Sequence, residues 1–425
     1  MRQLIRVATA AMVGLILVAP MAAPAAAFPA PNQEEWWFDT FGIESDVWPL
    51  TRGDGVTVAL IDTGVNASLP ELAEVVLPGT DVVGGVGDGR TDTDTHLGHG
   101  TAMAALIAAQ GGGSAGWLGI APGVKILPIR NGGHMTSEIE ATAIRYAADH
   151  GAKVINISQG DAAGLSDPNH CPAEVQDAVI DAVQRDAVIL ASAGNSGDQH
   201  NDPEYPAACP GVVAVGAYDH LGNAWQSTQR QDYVAISAPG AGVGSIGGDG
   251  WLYHYGAGTS QAAALASGAV ALMRSRFPNE SARRIVQRVI ATVTDLGPPG
   301  KDDQTGYGSI SLRKALTATV PADAPNPVFD RLDQVLAARR VQSTPSATPV
   351  ASAEKTSSKV LRDLLIVGAI FIVVCAVYPL ARIRPRPPAD RPPTSPGPDD
   401  RSPQHGPPPP SGPTRDQGPP PERRW

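Results

Sequence analysis

Apolar runs and Ala-rich runs alternate along the middle of this chain. "GVTVALID" precedes "GTAMAALIAA", "KILPIR" precedes "SEIEATAIRYAADH", and "KVINIS" precedes "PAEVQDAVIDAVQRD". "AVILASAG" and "VVAVGAY" then lead to "GTSQAAALASGAVALMRSRF". Continuous Val and Ile runs of this length read as strands buried on both faces, and the small-residue runs between them as helices. The alternation predicts an α/β fold over residues 51–320: a doubly wound, mostly parallel sheet with helices on both faces.

Two longer apolar segments frame this body. At the N-terminus Arg2 and Arg6 precede an apolar stretch from Val7 to Val18 and a small-residue site at Ala25–Ala27. That is the layout of a signal peptide over residues 1–27, cleaved after Ala27, the alternative being an uncleaved anchor. The second segment, "LLIVGAIFIVVCAVYPLA" from Leu364 to Ala381, is uncharged and long enough to span a bilayer. It predicts one C-terminal transmembrane helix over residues 361–381. Arg382, Arg384, Arg386 and Arg391 follow at once. Positive charge marks the cytoplasmic side, which puts the chain in the cytoplasmic membrane as a single-pass protein with its body extracytoplasmic. Between the landmarks lie an aromatic extension at 28–50 ("WWFDTFGI") and a Pro/Ala/Ser/Thr linker at 321–360, with one short helix near Phe329–Arg340. The cytoplasmic tail, 382–425, has 16 Pro in 44 residues.

Charge and cysteine content narrow the function. The net charge is −10. Setting aside the two leader arginines and a tail with eight Arg against five acids leaves −15 on the stretch from Phe28 to Ala381. An acidic body without a basic block excludes a nucleic-acid binder. Three Cys exclude a disulfide scaffold and a Cys-rich metal domain. Cys171 and Cys209, 38 apart in the exported region, pair in an oxidising compartment, the alternative being two free thiols. Cys375 lies inside the predicted span.

Four chemistry-bearing residues fall at strand-to-helix junctions, where open α/β sheets bind ligands. "VALIDTGV" ends a strand at Asp62, "GHGTAMAALIAA" opens a helix at His99, "AVILASAGNSG" ends a strand before Asn195, and "GAGTSQAAALASGAVAL" opens a helix at Ser260. Acyl transfer needs these types together. A serine hydroxyl needs a base, histidine serves near neutrality, and a carboxylate orients the imidazole. An amide side chain and a helix-start N–H can meet the oxyanion. Taken singly, each residue has an ordinary role: Asp62 a turn former, His99 and Ser260 helix caps, Asn195 a left-handed turn residue. His96 and His254 are rival bases.

In the order Asp, His, Asn, Ser, the boxes "IDTGV", "GHGT", "AGN" and "GTSQAA" resemble those of the subtilisin-like serine proteases over roughly residues 50–320. "VINISQG" is similar to the strand flanking that family's primary specificity pocket, which implies substrate binding at Ser158 and Gly160. The signal peptide, "WWFDTFG", "GDGRTDTDTHLGHGTAM", "GWLGIAP" and a C-terminal span with a basic tail resemble the mycosins, membrane-anchored subtilases of type VII secretion systems. The resemblance implies a subtilisin-like fold and a serine endopeptidase with catalytic Asp62, His99 and Ser260 and oxyanion donor Asn195. It further implies secreted protein or peptide substrates and membrane-embedded secretion machinery as partner. A structural role in the secretion complex, with proteolysis secondary, is the alternative. No cofactor is expected. Asp92, Asp94 and His96 in "DTDTH" could ligate a metal, but too few ligands are identified, and a solvated loop is the preferred reading. The stretch of about 30 residues before the first strand cannot hold a separately folded propeptide, so it is expected to wrap the body, with Trp36 and Trp37 packed on it.

Overall fold

The computed structural model describes residues 29–133, 136–164 and 167–343. The predicted signal peptide, most of the predicted linker, the predicted span and the tail lie outside the described residues, and so does Cys375. Among the described residues no helix is long and apolar enough to cross a membrane.

The extension lies along the body. It carries helix α1 (Trp37–Phe41) and a wide turn at Ile43–Val47, which bury Trp37, Phe38, Phe41, Ile43 and Val47. Polar anchors hold it in register. The Trp36 and Trp48 indoles donate to the carbonyls of Gly242 and Ile120, each at 2.9 Å, and the Glu35 carboxyl accepts the Leu118 amide at 2.9 Å.

The body then runs β1 (Thr57–Asp62), β2 (Thr80–Asp81), α2 (His99–Ala108), β3 (Lys125–Arg130), α3 (Ser137–Asp149), β4 (Val154–Ile157), β5 (Asp161–Ala162) and α4 (Ala173–Gln184). It continues through β6 (Val188–Ser192), β7 (Glu204–Tyr205), β8 (Val212–Tyr218), β9 (Val234–Pro239), β10 (Ser245–Ile246) and β11 (Leu252–Tyr253). It closes with α5 (Thr259–Arg276), α6 (Ala282–Thr292), α7 (Leu312–Thr317) and α8 (Pro327–Ser343). Seven strands form one parallel sheet in the order β2-β3-β1-β4-β6-β8-β9. The crossover helices enforce this: α3 carries the chain from β3 to β4, and α4 from β4 to β6.

Both sheet faces are covered, which is why the strands read as unbroken apolar runs. Val58 and Leu60 of β1 face one core, while Ala59 and Ile61 face the other. Val188 and Leu190 of β6 divide from Ile189 and Ala191 in the same way. The first core holds α2, α5 and α6, the second α3 and α4. Helix α5 is the innermost, with 16 of its 18 residues buried. Its Ala, Ser and Gly positions permit that depth, since a Cβ at Gly268 would meet the Ile120 side chain at 2.7 Å.

Two further features constrain the body. Cys171, just before α4, is bonded to Cys209, just before β8. The stretch from 321, expected to begin the linker, still carries structure, because α8 buries Val328, Phe329 and Leu332. The chain divides after Ala337, and of the second unit only residues 338–343 are described.

Candidate active site

The carboxyl edge of the sheet collects the predicted residues. Asp62 is the last residue of β1, Ser158 follows β4, and Asn195 lies three residues past β6. His99 opens α2, and Ser260 is the second residue of α5.

Asp62 is fully buried, and its Oδ1 lies 2.7 Å from His99 Nδ1. That oxygen also accepts the Thr63 amide at 2.8 Å and the Gln159 amide group at 3.4 Å. Gln159 is itself held by Asn131, whose Nδ2 donates to its Oε1 at 2.7 Å. A carboxylate fixed on Nδ1 leaves Nε2 as the ring nitrogen available to a substrate-side proton. Burial alone would lower the His99 pKa, but the Asp62 carboxylate, with Asp92 and Asp94 nearby, outweighs it and holds the pKa above its ordinary value. The rival bases are elsewhere. His96 is exposed, and its amide donates to Asp94. His254 Nδ1 meets Glu34 of the extension at 2.6 Å.

The "DTDTH" loop serves the His99 helix. The N-cap of α2 is Gly98, at φ 71°, and has no side chain to cap with. Asp92 Oδ2 takes that part, accepting the Thr101 amide at 2.8 Å and its hydroxyl at 2.6 Å. Asp94 Oδ2 accepts the His99 amide at 3.1 Å. Carboxylates at a helix N-terminus satisfy its orphan amides and suit its dipole. Gly100 brings this turn onto β1, because a Cβ there would lie 2.1 Å from the Gly64 carbonyl oxygen.

At the other wall, the buried Ser260 hydroxyl donates to the Ser158 carbonyl at 2.7 Å. The Ser158 hydroxyl donates back to the Ser260 carbonyl at 2.9 Å. Beneath them Asn156 joins Ser158 and Ser267 in a buried chain of hydrogen bonds, 2.9 Å at each link. Asn195 Oδ1 accepts both the amide and the hydroxyl of Thr259 at 2.8 Å. An N–H donor demands an acceptor opposite it, so the oxygen of this amide is assigned by chemistry. Gly160 is exposed on the segment that follows Ser158.

The structure thus joins Asp62 to His99, Ser260 to Ser158, and Asn195 to the head of the Ser260 helix. Sequence reading did not single out Gln159, Asn131 or Thr259. Gln159 sits inside the quoted "VINISQG", but nothing local says that its amide reaches back to β1.

Comparison with known proteins agrees with the fold. A model of the subtilase family matches residues 53–308. Mycosin-4 of Mycobacterium tuberculosis is 34% identical over 317 residues, covering 64% of this chain and 67% of its own. Fervidolysin of Fervidobacterium pennivorans is 33% identical over 326 residues, covering 68% of this chain but 44% of its own length. The structure of MycP3, a protease from the type VII (ESX-3) secretion system, superposes with a TM-score of 0.59 at 31% identity, covering 70% of this chain and 90% of that one. The chain belongs to the subtilase family, the subtilisin-like serine peptidases, and is related within it to the mycosins.

Proposed function

We propose that this chain is a membrane-anchored serine endopeptidase in which Ser260 attacks the scissile carbonyl and His99 takes its proton. Asp62 orients His99 and stabilises the imidazolium. The observation that carries this reading is the 2.7 Å contact between His99 Nδ1 and a fully buried Asp62. The Ser260 hydroxyl rests on the Ser158 carbonyl, so the proton reaches His99 after rotation about one side-chain bond. The oxyanion is met by the NH2 of Asn195 and the Ser260 amide, a first-turn N–H with no intrahelical acceptor. Ser158 and Gly160 bind the substrate backbone beside the nucleophile.

The substrates are secreted proteins, and the chain works beside the membrane machinery of a type VII secretion system. The relation to mycosin-4 and to the MycP3 protease supports this, as does the apolar run at 361–381 followed by arginines. Labelling of the full chain with a serine-directed fluorophosphonate and peptide mapping tests the chemistry: Ser260 carries the label, and a label elsewhere removes it as nucleophile. External protease on intact spheroplasts tests the topology. The body is digested and the tail spared; the reverse pattern rejects the orientation.

A further inference from the structure

The walls beside Ser260 hold a carboxylate that the proposed mechanism does not use. One wall is the segment after β4, where Ser158 touches Ser260. The other is the segment after β6, where Gly194 donates its amide to the Thr259 hydroxyl at 3.1 Å and leads into Asn195. Each wall carries a glycine, and both glycines face the same side chain. A Cβ at Gly160 would lie 2.6 Å from Glu204 Oε2, and one at Gly194 would lie 2.3 Å from Gln229 Cγ and 2.7 Å from Glu204 Cδ and Oε1. Gly194 is also left-handed, at φ 110°, so neither its backbone nor its surroundings admit a side chain. The Glu204 carboxyl therefore lies across the gap between two bare stretches of backbone, each within two residues of a group that touches the nucleophile's helix.

Pairing places it there. Strand β7 (Glu204–Tyr205) runs antiparallel to β5 (Asp161–Ala162), just beyond Gly160, with Ala162 opposite Glu204. The carboxyl is only partly buried, and among the described residues its hydrogen-bond donor is the Gln229 amide, at 2.9 Å to Oε1. Among the described residues no Lys or Arg forms an ion pair with it. Burial, reinforced by the nearby Asp161 charge and only partly relieved by Gln229 and His200, raises its pKa. A half-buried acid without a cation is electrostatically incomplete, and an incoming cation would complete it.

A bound acyl group puts its carbonyl carbon at Ser260 and its oxygen toward Asn195. The side chain on the adjoining carbon is then the part of the substrate nearest the gap between the two glycine walls. We propose that Glu204 makes the end of the pocket that receives the side chain immediately before the scissile bond, and that it selects lysine or arginine there. The Glu204 side chain, which rests against both glycines, turns back toward β7 to admit the aliphatic stem between the glycine backbones, and the ammonium or guanidinium meets the carboxylate there. This rests on the reading of Ser260 as the nucleophile.

The test uses the purified full chain and quenched peptides differing only at the residue before the cut: Lys, Arg, Gln, Leu, Ala or Glu. A hydrogen bond to a charged partner predicts kcat/KM for Lys and Arg about 10- to 100-fold above Gln. Glu204→Gln, an isosteric change, collapses the Lys-to-Gln ratio toward one, and Glu204→Lys moves the preference to Glu. Melting curves and fluorophosphonate labelling are measured on each variant to separate selectivity from folding. A chain labelled at Ser260 that cuts the Ala, Leu or Gln peptides at least as well as Lys and Arg overturns the proposal and leaves the catalytic reading standing. A Lys-to-Gln ratio unchanged in a folded Glu204→Gln also overturns it. Absence of both labelling and cleavage overturns the catalytic reading, and the proposal falls with it.

Discussion

In the proposed mechanism Asn195 does two jobs with the two ends of one amide. Its oxygen holds the Thr259 amide and hydroxyl at the head of α5, and its NH2 would meet the oxyanion. An apolar substitution would remove both, mixing stability with catalysis. Asn195→Asp separates them, since a carboxylate still accepts from Thr259 but cannot donate. We expect its melting temperature to stay close to the parent's while kcat falls by at least about 10²–10³-fold, the size known for the corresponding donor in subtilisin. An unchanged kcat would remove Asn195 from the oxyanion site. Asp62 and His99 make a second pair. The carboxylate raises the His99 pKa, and the base must be neutral to act, so activity rises with pH through that raised value. Asp62→Asn should move the acidic limb of the kcat/KM profile to lower pH. It should also cut kcat by about 10⁴-fold, the loss known for the same change in another serine protease. An unmoved limb would mean that His99 is not the titrating base.

Among the elements, α2 and α4 are positioned by restraints distant in sequence. Helix α2 delivers His99 because Asp92 and Asp94 cap it from the preceding loop, which is why the "DTDTH" acids are spent on amides. Helix α4 is tethered by the Cys171–Cys209 bond. Closing a loop of 38 residues removes unfolded-state entropy worth about 4 kcal/mol on the chain-entropy model. Replacing both cysteines by serine should lower the melting temperature by on the order of 10 °C. The bond joins the segments before α4 and β8, and neither cysteine hydrogen-bonds His99 or Asp62, so fluorophosphonate labelling below the transition should persist. A melting temperature within a degree of the parent's would show that the bond contributes nothing.

At the scale of the whole molecule, burial carries two carboxyls among the described residues far above their ordinary range. Glu140, on α3, is fully enclosed, neither oxygen has a hydrogen-bond partner, and burial pushes its pKa up to about 8. Burial also raises Glu35, in the extension, to about 8, against the backbone amides of Leu118 and Asn32. Both keep their proton in the folded chain at pH values where the unfolded chain has lost it. The stability they contribute is whole below the ordinary value of 4.5 and is lost as pH climbs to about 8. Asp81, Asp186 and Asp302 are lowered despite burial, by hydrogen bonds and by cations beside them, so their contribution is lost as pH falls below the ordinary 3.8. The stability maximum should therefore lie on the acidic side of neutrality. Glu140→Met replaces the orphan acid by an apolar chain of similar volume. Its melting temperature should exceed the parent's at about pH 8 by more than at about pH 5. Equal differences at both would show that Glu140 ionises freely in the fold.

The strands, their parallel arrangement and the Asp, His, Asn, Ser order were readable from the chain. A strand buried on both faces writes itself as an unbroken apolar run, and a nucleophile or base at a helix head carries small neighbours that let it approach the sheet. The disulfide was readable from compartment and spacing. Other features depended on residues that meet only after folding. Asp92 and Asp94 could have faced solvent, and nothing before Thr101 says that they turn onto helix amides. Helix α8 reads from the chain as a short helix in a Pro/Ala/Ser/Thr linker, because its seat on the body, through Val328, Phe329, Leu332 and the Arg283–Asp333 ion pair, depends on residues distant in sequence. Gln159 is ordinary in its own segment and becomes a second support for Asp62 only when β4 lies beside β1. Glu204 shows the division most plainly. Its charge is written in the chain, but its place between Gly160 and Gly194 depends on β5 pairing with β7 and on the close approach of the loops after β4 and β6. Local pattern determines what each segment can be, because periodicity and side-chain size act along the chain. Which carboxylates meet an amide, an imidazole or nothing is decided by contacts across the sheet, and only the tertiary structure sets those.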